Sequence, residues 1–136
     1  MTTANSFQLK IRLSGRPERI MQLLTDAALI RKWSGEDGEI EPSIGGKVEF
    51  FGGWATGVVT AISHTALSFS WRLAEWPETI ADTQVSIALK GETEGTTVIL
   101  EHRNFDNEKE LKSHQTGWQE YFFDPMEDFM LIIDKS

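Results

Sequence analysis

Residues 44–50 read Ile44-Gly45-Gly46-Lys47-Val48-Glu49-Phe50, and this stretch decides the fold because it joins a turn to a strand. Paired glycines are typical of turn or bulge geometry that requires positive φ or a close approach of the backbone. Val48 and Phe50 then alternate with charged residues. Short apolar runs follow at residues 57–62 and 67–71, separated by turn-forming residues. The pattern predicts a series of short strands.

The residues before this stretch predict one strand and two short helices. Apolar residues at positions 7, 9, 11 and 13 alternate with polar ones, which indicates a half-buried strand. Pro17 suits the first turn of a helix because no amide donor is needed there. Asp26 is placed to cap a second helix whose apolar residues lie within positions 29–33. Residues 36–41 are acidic and rich in turn formers, so we expect them to be exposed.

From residue 75 onward, the sequence predicts a loop, a hairpin and a long helix. Residues 75–82 form the loop, and two alternating segments flank a glycine-bounded turn at 91–95. Asp106 or Asn107 is expected to cap the helix. Pro125 lies inside the helical pattern and is expected to kink or break it near residues 122–124. The apolar face of this helix is Leu111, Trp118, Phe122, Met126, Phe129 and Ile133.

The order of strand, two helices, several strands and a long helix indicates an α+β domain. The chain also resembles the activator-of-Hsp90-ATPase-like (AHSA1-like) branch of the START/Bet v 1 superfamily. The segments that carry the resemblance are Leu24-Thr25-Asp26, residues 29–33, residues 44–50, residues 67–71, Gly95-Thr96-Thr97-Val98 and Gly117-Trp118. It implies a helix-grip fold, in which a curved antiparallel sheet wraps around the C-terminal helix and leaves a cavity. Because the resemblance covers nearly the whole chain, we expect a single domain over residues 1–136.

Composition narrows the classes of function. A chain of 136 residues without cysteine excludes disulfides, thiolate metal sites and cysteine nucleophiles. The net charge of −8 disfavours general binding of nucleic acid. Residues 1–32 nevertheless carry six basic and two acidic side chains, a local charge of +4, which leaves −12 on the remainder. No signal peptide or membrane-spanning run is apparent, so we expect a cytoplasmic protein that is not inserted in a membrane.

The histidines and serines give no catalytic signature. His64 and His114 are predicted to be surface residues, whereas His102 shares strand parity with Val98 and Leu100 and is predicted to face inward. We interpret His102 as a hydrogen-bonded residue of the pocket wall. Its sequence neighbours Glu101 and Arg103 point to the opposite face and cannot orient its imidazole, so no acid–base pair is apparent locally. The Gly-x-Ser-x-Gly elbow and the His-x₃-His spacing of a metal site are both missing. We therefore predict no metal and no cofactor.

Aromatic residues are the notable feature that remains, with five tryptophans and eight phenylalanines. Several of them are predicted to converge as walls of an apolar pocket, although each tryptophan is also consistent with simple core packing. The resemblance implies that the residues facing the cavity are Trp33, Phe50, Phe69, Trp71, Leu100, His102, Trp118 and Phe122. Trp54 completes the predicted ligand-binding set.

Three functions are consistent with these observations. The leading hypothesis is a non-catalytic protein, monomeric or homodimeric, that binds an apolar or amphipathic small molecule. The second is a module that interacts with an Hsp90-type chaperone, as the resemblance implies, with the basic residues 1–32 facing an acidic partner. The third is a cyclase- or hydrolase-like enzyme, which would require an acid such as Glu49 or Asp82 to reach His102 across the pocket.

Overall fold

The computed structural model describes residues 5–134, and these residues form an antiparallel sheet of seven strands, two short helices and a long C-terminal helix. The strand order is β1-β7-β6-β5-β4-β3-β2, with β1 and β2 at the two edges. The strands are β1 Phe7–Leu13, β2 Gly38–Ile40, β3 Lys47–Phe50, β4 Ala55–Ile62, β5 Ala66–Leu73, β6 Thr83–Glu92 and β7 Gly95–Arg103. The predicted α+β helix-grip fold is confirmed.

The longest pairing in the sheet is the predicted hairpin of β6 and β7. Its register runs from Gln84 opposite Arg103 to Glu92 opposite Gly95, which leaves a two-residue turn. Gly95 has a φ of 136°, and a Cβ at this position would lie 2.4 Å from the carbonyl oxygen of Leu13. Only glycine permits this approach, so Gly95 allows β1 to pair with the start of β7.

The two helices after β1 begin and end as their sequence dictates. The first, α1, spans Pro17–Thr25 and has the proline in its first turn. The second, α2, spans Ala27–Ser34, and the Asp26 side chain accepts a hydrogen bond from the Leu29 amide at 3.0 Å. Gly35 ends α2 in the left-handed conformation, with a φ of 78°. Such caps satisfy backbone groups that the helix itself leaves unpaired.

The expectation that residues 36–41 are an exposed turn was wrong in part. Gly38–Ile40 forms β2, which pairs with β3, and Ile40 is buried in the core. A Cβ at Gly38 would lie 3.0 Å from the carbonyl oxygen of Glu49, so glycine lets the two strands approach. Backbone pairing with β3 and the burial of Ile40 together hold this short edge strand in place despite its acidic neighbours.

The C-terminal helix continues through Pro125, so the expected break is absent, but a π-helical segment ends directly before the turn that contains the proline. It consists of α3 Glu108–Gly117, a π-helical segment Trp118–Phe123, α4 Asp124–Phe129 and a second π-helical segment Met130–Asp134. Asn107 caps α3 by accepting a hydrogen bond from the Glu110 amide at 2.8 Å. The π register lets the Asp124 amide bond to the Gln119 carbonyl and places Pro125 in the first turn of α4. A missing amide donor costs little at that position.

The inner face of the C-terminal helix packs on the concave face of the sheet. Leu111, Trp118, Phe122 and Met126 are buried and Phe129 is partly buried, as the apolar stripe predicts, whereas Ile133 is 54% exposed. Glu127 fastens the helix to the turn after β1 by accepting from the Ser14 amide at 3.0 Å and from its hydroxyl at 2.9 Å. Within residues 5–134, no helix has the length and apolar character needed to cross a membrane.

Candidate functional site

A cavity of about 450 Å³ opens between the C-terminal helix and the β3–β5 end of the sheet. Six aromatic residues line it: Phe51, Trp54, Trp71, Trp118, Tyr121 and Phe122. The polar side chains that line it are Glu75, Glu110, Ser113 and His114, and Leu73 and Gly117 complete the wall. The described residues thus combine a largely aromatic enclosure with a few polar groups, an arrangement that is typical of small-molecule sites.

The turn between β3 and β4 positions the mouth of the cavity. Phe51, Gly52 and Gly53 have φ values of 54°, 66° and 94°, so three successive residues adopt left-handed conformations. This is uncommon for a bulky residue such as Phe51. The turn places the rings of Phe51 and Trp54 edge to face, with 5.7 Å between their centroids. Trp54 remains 40% exposed at the opening.

Two buried indoles form the floor of the cavity. Trp71, from β5, and Trp118, from the C-terminal helix, lie with their ring centroids 5.0 Å apart. Phe122 follows one turn later and packs on Trp118 at 4.4 Å. Strand parity aims Trp71 inward and the helix stripe aims Trp118 at the sheet, so local sequence explains why these rings meet.

His114 connects the floor of the cavity to the C-terminal helix. The Trp71 Nε1–H group donates to His114 Nε2 at 3.0 Å, and His114 Nδ1 lies 2.9 Å from the Glu110 carbonyl oxygen. Because a carbonyl oxygen only accepts, the proton of the imidazole must be on Nδ1. His114 is therefore neutral, with both ring nitrogens engaged.

His102 forms a second, mirrored arrangement behind Trp118. The Trp118 Nε1–H group donates to His102 Nδ1 at 3.0 Å, so the imidazole proton is on Nε2 and points to Thr83 Oγ1 at 2.8 Å. The Thr83 hydroxyl in turn donates to the Trp71 carbonyl oxygen at 2.9 Å. The two histidines, whose ring centroids are 5.2 Å apart, thus adopt opposite tautomers.

Both imidazoles are held in the neutral form. Burial lowers the pKa of His102 to about 2, and the neighbouring His114 acts in the same direction. Burial also lowers the pKa of His114, although its contacts with Glu110 oppose this effect. Protonation of His102 would turn a second N–H group toward the Trp118 N–H, and both groups would then be donors. The network stabilises neutral histidine and leaves it no free lone pair for proton transfer.

The structure places the nine predicted ligand-binding residues in two groups. Trp54, Trp71, Trp118 and Phe122 line the cavity, whereas the others lie in the packed core. Trp33 donates through Nε1 to the Leu23 carbonyl oxygen at 2.8 Å and lies against the far side of Phe122. The remaining core residues are Phe50, Phe69, Leu100 and His102.

His114 was wrongly predicted to be a surface residue, because its immediate neighbours in sequence are polar. It is buried, and it lies three residues after Leu111 and four before Trp118, so it falls on the apolar stripe of the helix. Helical periodicity is therefore the signal that could have identified His114 as buried. Other lining residues that the sequence did not indicate are Phe51, Leu73, Glu75, Glu110, Ser113, Gly117 and Tyr121.

The acid–histidine pair that the enzyme hypothesis requires is not formed among the described residues. Glu49 pairs with Lys47 at 3.0 Å and Asp82 pairs with Arg72 at 3.3 Å, while His102 contacts Thr83 and Trp118. Within residues 5–134, no group of three or more histidine and acidic side chains is arranged to hold a metal ion.

A seven-stranded curved sheet around a C-terminal helix, with a cavity that opens between them, defines a START-like helix-grip protein. The family described as "Activator of Hsp90 ATPase homolog 1-like protein" matches residues 15–130, and the chain belongs to this family. Comparison with curated proteins gives no match.

Solved structures share the fold over nearly the whole chain. An HSP90 activator from Plasmodium falciparum is 23% identical with a TM-score of 0.82, and the match covers 96% of this chain and 97% of that one. The Aha1 dimer from Colwellia psychrerythraea is 23% identical with a TM-score of 0.76, covering 93% and 96%. CalU16 from Micromonospora echinospora is 24% identical with a TM-score of 0.76, covering 92% and 75%.

Proposed function

We propose that the protein binds a small amphipathic molecule in the cavity between the sheet and the C-terminal helix. The observation that carries the proposal is the aromatic cavity of about 450 Å³, whose lining also includes a few polar groups. This volume is within the range of about 300–1,000 Å³ that is usual for small-molecule sites. An apolar ligand body would cover the rings, and a polar end would meet Ser113 or the carboxylates.

The driving force for binding is the removal of aromatic surface from water. Trp54 is 40% exposed and Tyr121 is 59% exposed, and both line the opening. Burying apolar surface contributes about 25 cal/mol per Å² before the costs of association are subtracted. The floor residues are already fixed by the two histidines, so little ordering of the inner wall is needed when a ligand enters.

Gly117 allows the cavity to be filled without damage to the fold. It lies in a helical conformation, with φ of −63° and ψ of −37°, and a Cβ added there meets only Tyr121 Cδ2, at 3.8 Å, within 4 Å. A leucine at this position would extend along the cavity wall while favouring the helix. Gly117→Leu is therefore expected to block the site and to retain or raise the free energy of unfolding.

The test uses Nile red, a neutral apolar dye, as the probe. We expect saturable fluorescence enhancement with the natural protein and at least tenfold weaker binding with Gly117→Leu. The matched control is Thr116→Leu, which adds the same side chain at the adjacent exposed position outside the cavity. The absence of saturable binding to the natural protein, or equal affinity in a folded Gly117→Leu variant, would contradict the proposal.

Interaction with an Hsp90-type chaperone is the second candidate, favoured by the family and by the fold shared with the Plasmodium falciparum HSP90 activator. The measurement is the ATPase rate of a purified Hsp90 with and without the protein. If the basic residues 1–32 contact an acidic partner, Lys10→Glu should reduce any stimulation, whereas Lys109→Glu on the C-terminal helix should not. A rate unaffected by the natural protein would count against this candidate.

A further inference from the structure

We propose that the ligand of this cavity is a cationic amphiphile, an organic ammonium compound with an apolar body. The inference rests on the proposed binding function and specifies the chemistry of the ligand. The charged side chains that line the cavity are two carboxylates, Glu75 and Glu110, and the lining residues include neither lysine nor arginine among those described. A cavity with this charge attracts cations and repels anions.

Neither carboxylate forms an ion pair with another residue between positions 5 and 134, which distinguishes them from Glu49 and Asp82. The half-buried Glu110 accepts a hydrogen bond from the Trp76 Nε1–H group through Oε1, which holds the side chain in place. Its second oxygen receives no hydrogen bond from the described residues. Glu75 lies on the exposed side of the cavity. The site thus has negative charge that the described protein leaves uncompensated.

His114 does not compensate this charge, because its two nitrogens are committed to Trp71 and to the Glu110 carbonyl oxygen. It presents an imidazole that is neutral, and the ring stacks on Trp54 with an interplanar angle of 17° and 6.4 Å between centroids. The neutral His114 therefore leaves the charge of the site to the two carboxylates, Glu75 and Glu110.

The aromatic walls favour the same ligand. The faces of tryptophan and tyrosine rings attract cations, and indole does so best. Trp54 and Trp71 stand edge to face at 6.1 Å, and Tyr121 also lines the cavity. An ammonium group between these rings and the carboxylates would meet both kinds of attraction, while its alkyl or aryl body would cover the floor of Trp71 and Trp118.

Three probes that share a decyl chain and differ in their headgroup separate the contribution of charge to binding from that of apolar contact. Decyltrimethylammonium, decanol and decyl sulfate are titrated below their aggregation concentrations at low ionic strength, where exposed charges are weakly screened. We expect the ammonium probe to bind at least tenfold more tightly than decanol, and decyl sulfate to bind more weakly than decanol. Equal affinity for the ammonium probe and decanol, or preference for the sulfate, would overturn the inference.

Variants then test whether the preference for the cationic probe comes from the cavity carboxylates. The double variant Glu75→Gln and Glu110→Gln should lower the affinity for decyltrimethylammonium about tenfold and leave decanol unaffected, because glutamine keeps the acceptor for Trp76. The double variant Glu36→Gln and Glu78→Gln removes two exposed charges outside the cavity and is the matched control for the negative net charge of the protein. An equal loss of affinity in this control would overturn the inference. If Nile red binds but the three probes show no preference, this inference fails and the proposed function stands; if Nile red does not bind, the proposed function fails as well.

Discussion

The concave face of the sheet has two halves that the same helix covers in different ways. In the closed half, behind Trp118, residues such as Phe69, Leu100 and His102 are closely packed, and the two His102 nitrogens bond to Trp118 and Thr83. In the open half, in front of Trp71, Trp54 and Tyr121 line the cavity and remain exposed. The inward-facing residues of both halves are largely aromatic and aliphatic, so hydrophobicity alone does not determine which half is filled.

The difference lies in what fixes the side chains. In the closed half, His102 joins β7 to the helix and Thr83 joins β6 to β5, so hydrogen bonds draw the elements together. In the open half, the Trp71 indole also bonds to His114 of the helix, while the β3–β4 turn places Phe51 and Trp54 on the cavity wall through three left-handed residues. Both halves thus have hydrogen bonds between the sheet and the helix. They differ at the rim, where the wall comes from the turn and meets the helix through ring contacts with Phe122 and His114.

The sharpest test of this contrast truncates one aromatic ring in each half. Phe69→Ala should lower the free energy of unfolding by about 3–5 kcal/mol, because it leaves a hole in packed surroundings. Trp54→Ala should lower it by about 1 kcal/mol or less, since the ring is partly exposed, but should weaken Nile red binding. Urea unfolding measures the stabilities. Similar losses in the two variants would remove the distinction between the halves.

A pH series tests whether neutral histidine holds the closed half together. An exposed histidine has a pKa of about 6.5, while that of His102 is lowered to about 2, so the unfolded chain binds more protons between these values. Stability is therefore expected to fall as the pH decreases from 7.5 to 5.0, with about 2 kcal/mol coming from His102 alone. The lowered pKa of His114 adds to this loss.

The variant His102→Gln tests whether His102 causes this loss of stability on acidification. It should be less stable than the natural protein at pH 7.5, because glutamine does not reproduce both hydrogen bonds, yet it should lose less stability on acidification. Urea unfolding at the two pH values gives the comparison. An unchanged pH dependence in this variant would show that His102 does not carry the effect.

The smallest expected effect concerns the open half, where added volume should be tolerated. Gly117→Ala should raise the free energy of unfolding by about 0.5–1 kcal/mol, since the residue is helical and has open space beside it. Gly35→Ala is the contrasting variant: no atom lies within 4 Å of its added Cβ, but its φ of 78° strains any other residue. It should destabilise the protein. Thermal unfolding distinguishes the signs, and a destabilised Gly117→Ala variant would mean that the helix is tightly packed there.

Features with local causes were predictable from the sequence. Pro17, Asp26 and Asn107 mark helix starts because their effects depend on one turn of backbone. The division of inward residues between core and cavity was not predictable in this way. Strand parity gives Trp71 and Leu100 the same inward direction, but what covers each of them depends on the distant helix and on the β3–β4 turn.

Strand β2 and the burial of His114 were not predicted for the same reason. β2 was missed because its assignment depends on the burial of Ile40 against α1 and α2, and its own residues indicate a turn. His114 was missed because the residues beside it are polar, although its helical neighbours Leu111 and Trp118 are apolar. Glu75 and Glu110 join the cavity through tertiary structure alone, which sequence spacing does not reveal.

The π-helical segment Trp118–Phe123 has a consequence for how members of this family are aligned. A ring closed between residues i and i+5 encloses one more residue than the ring of an α-helix. A homologue whose C-terminal helix is α-helical throughout is thus expected to be one residue shorter between its counterparts of Gly117 and Asp124. The corresponding gap belongs inside the helix, and an alignment that moves it into a loop would shift either Trp118 or Met126 out of register by one position.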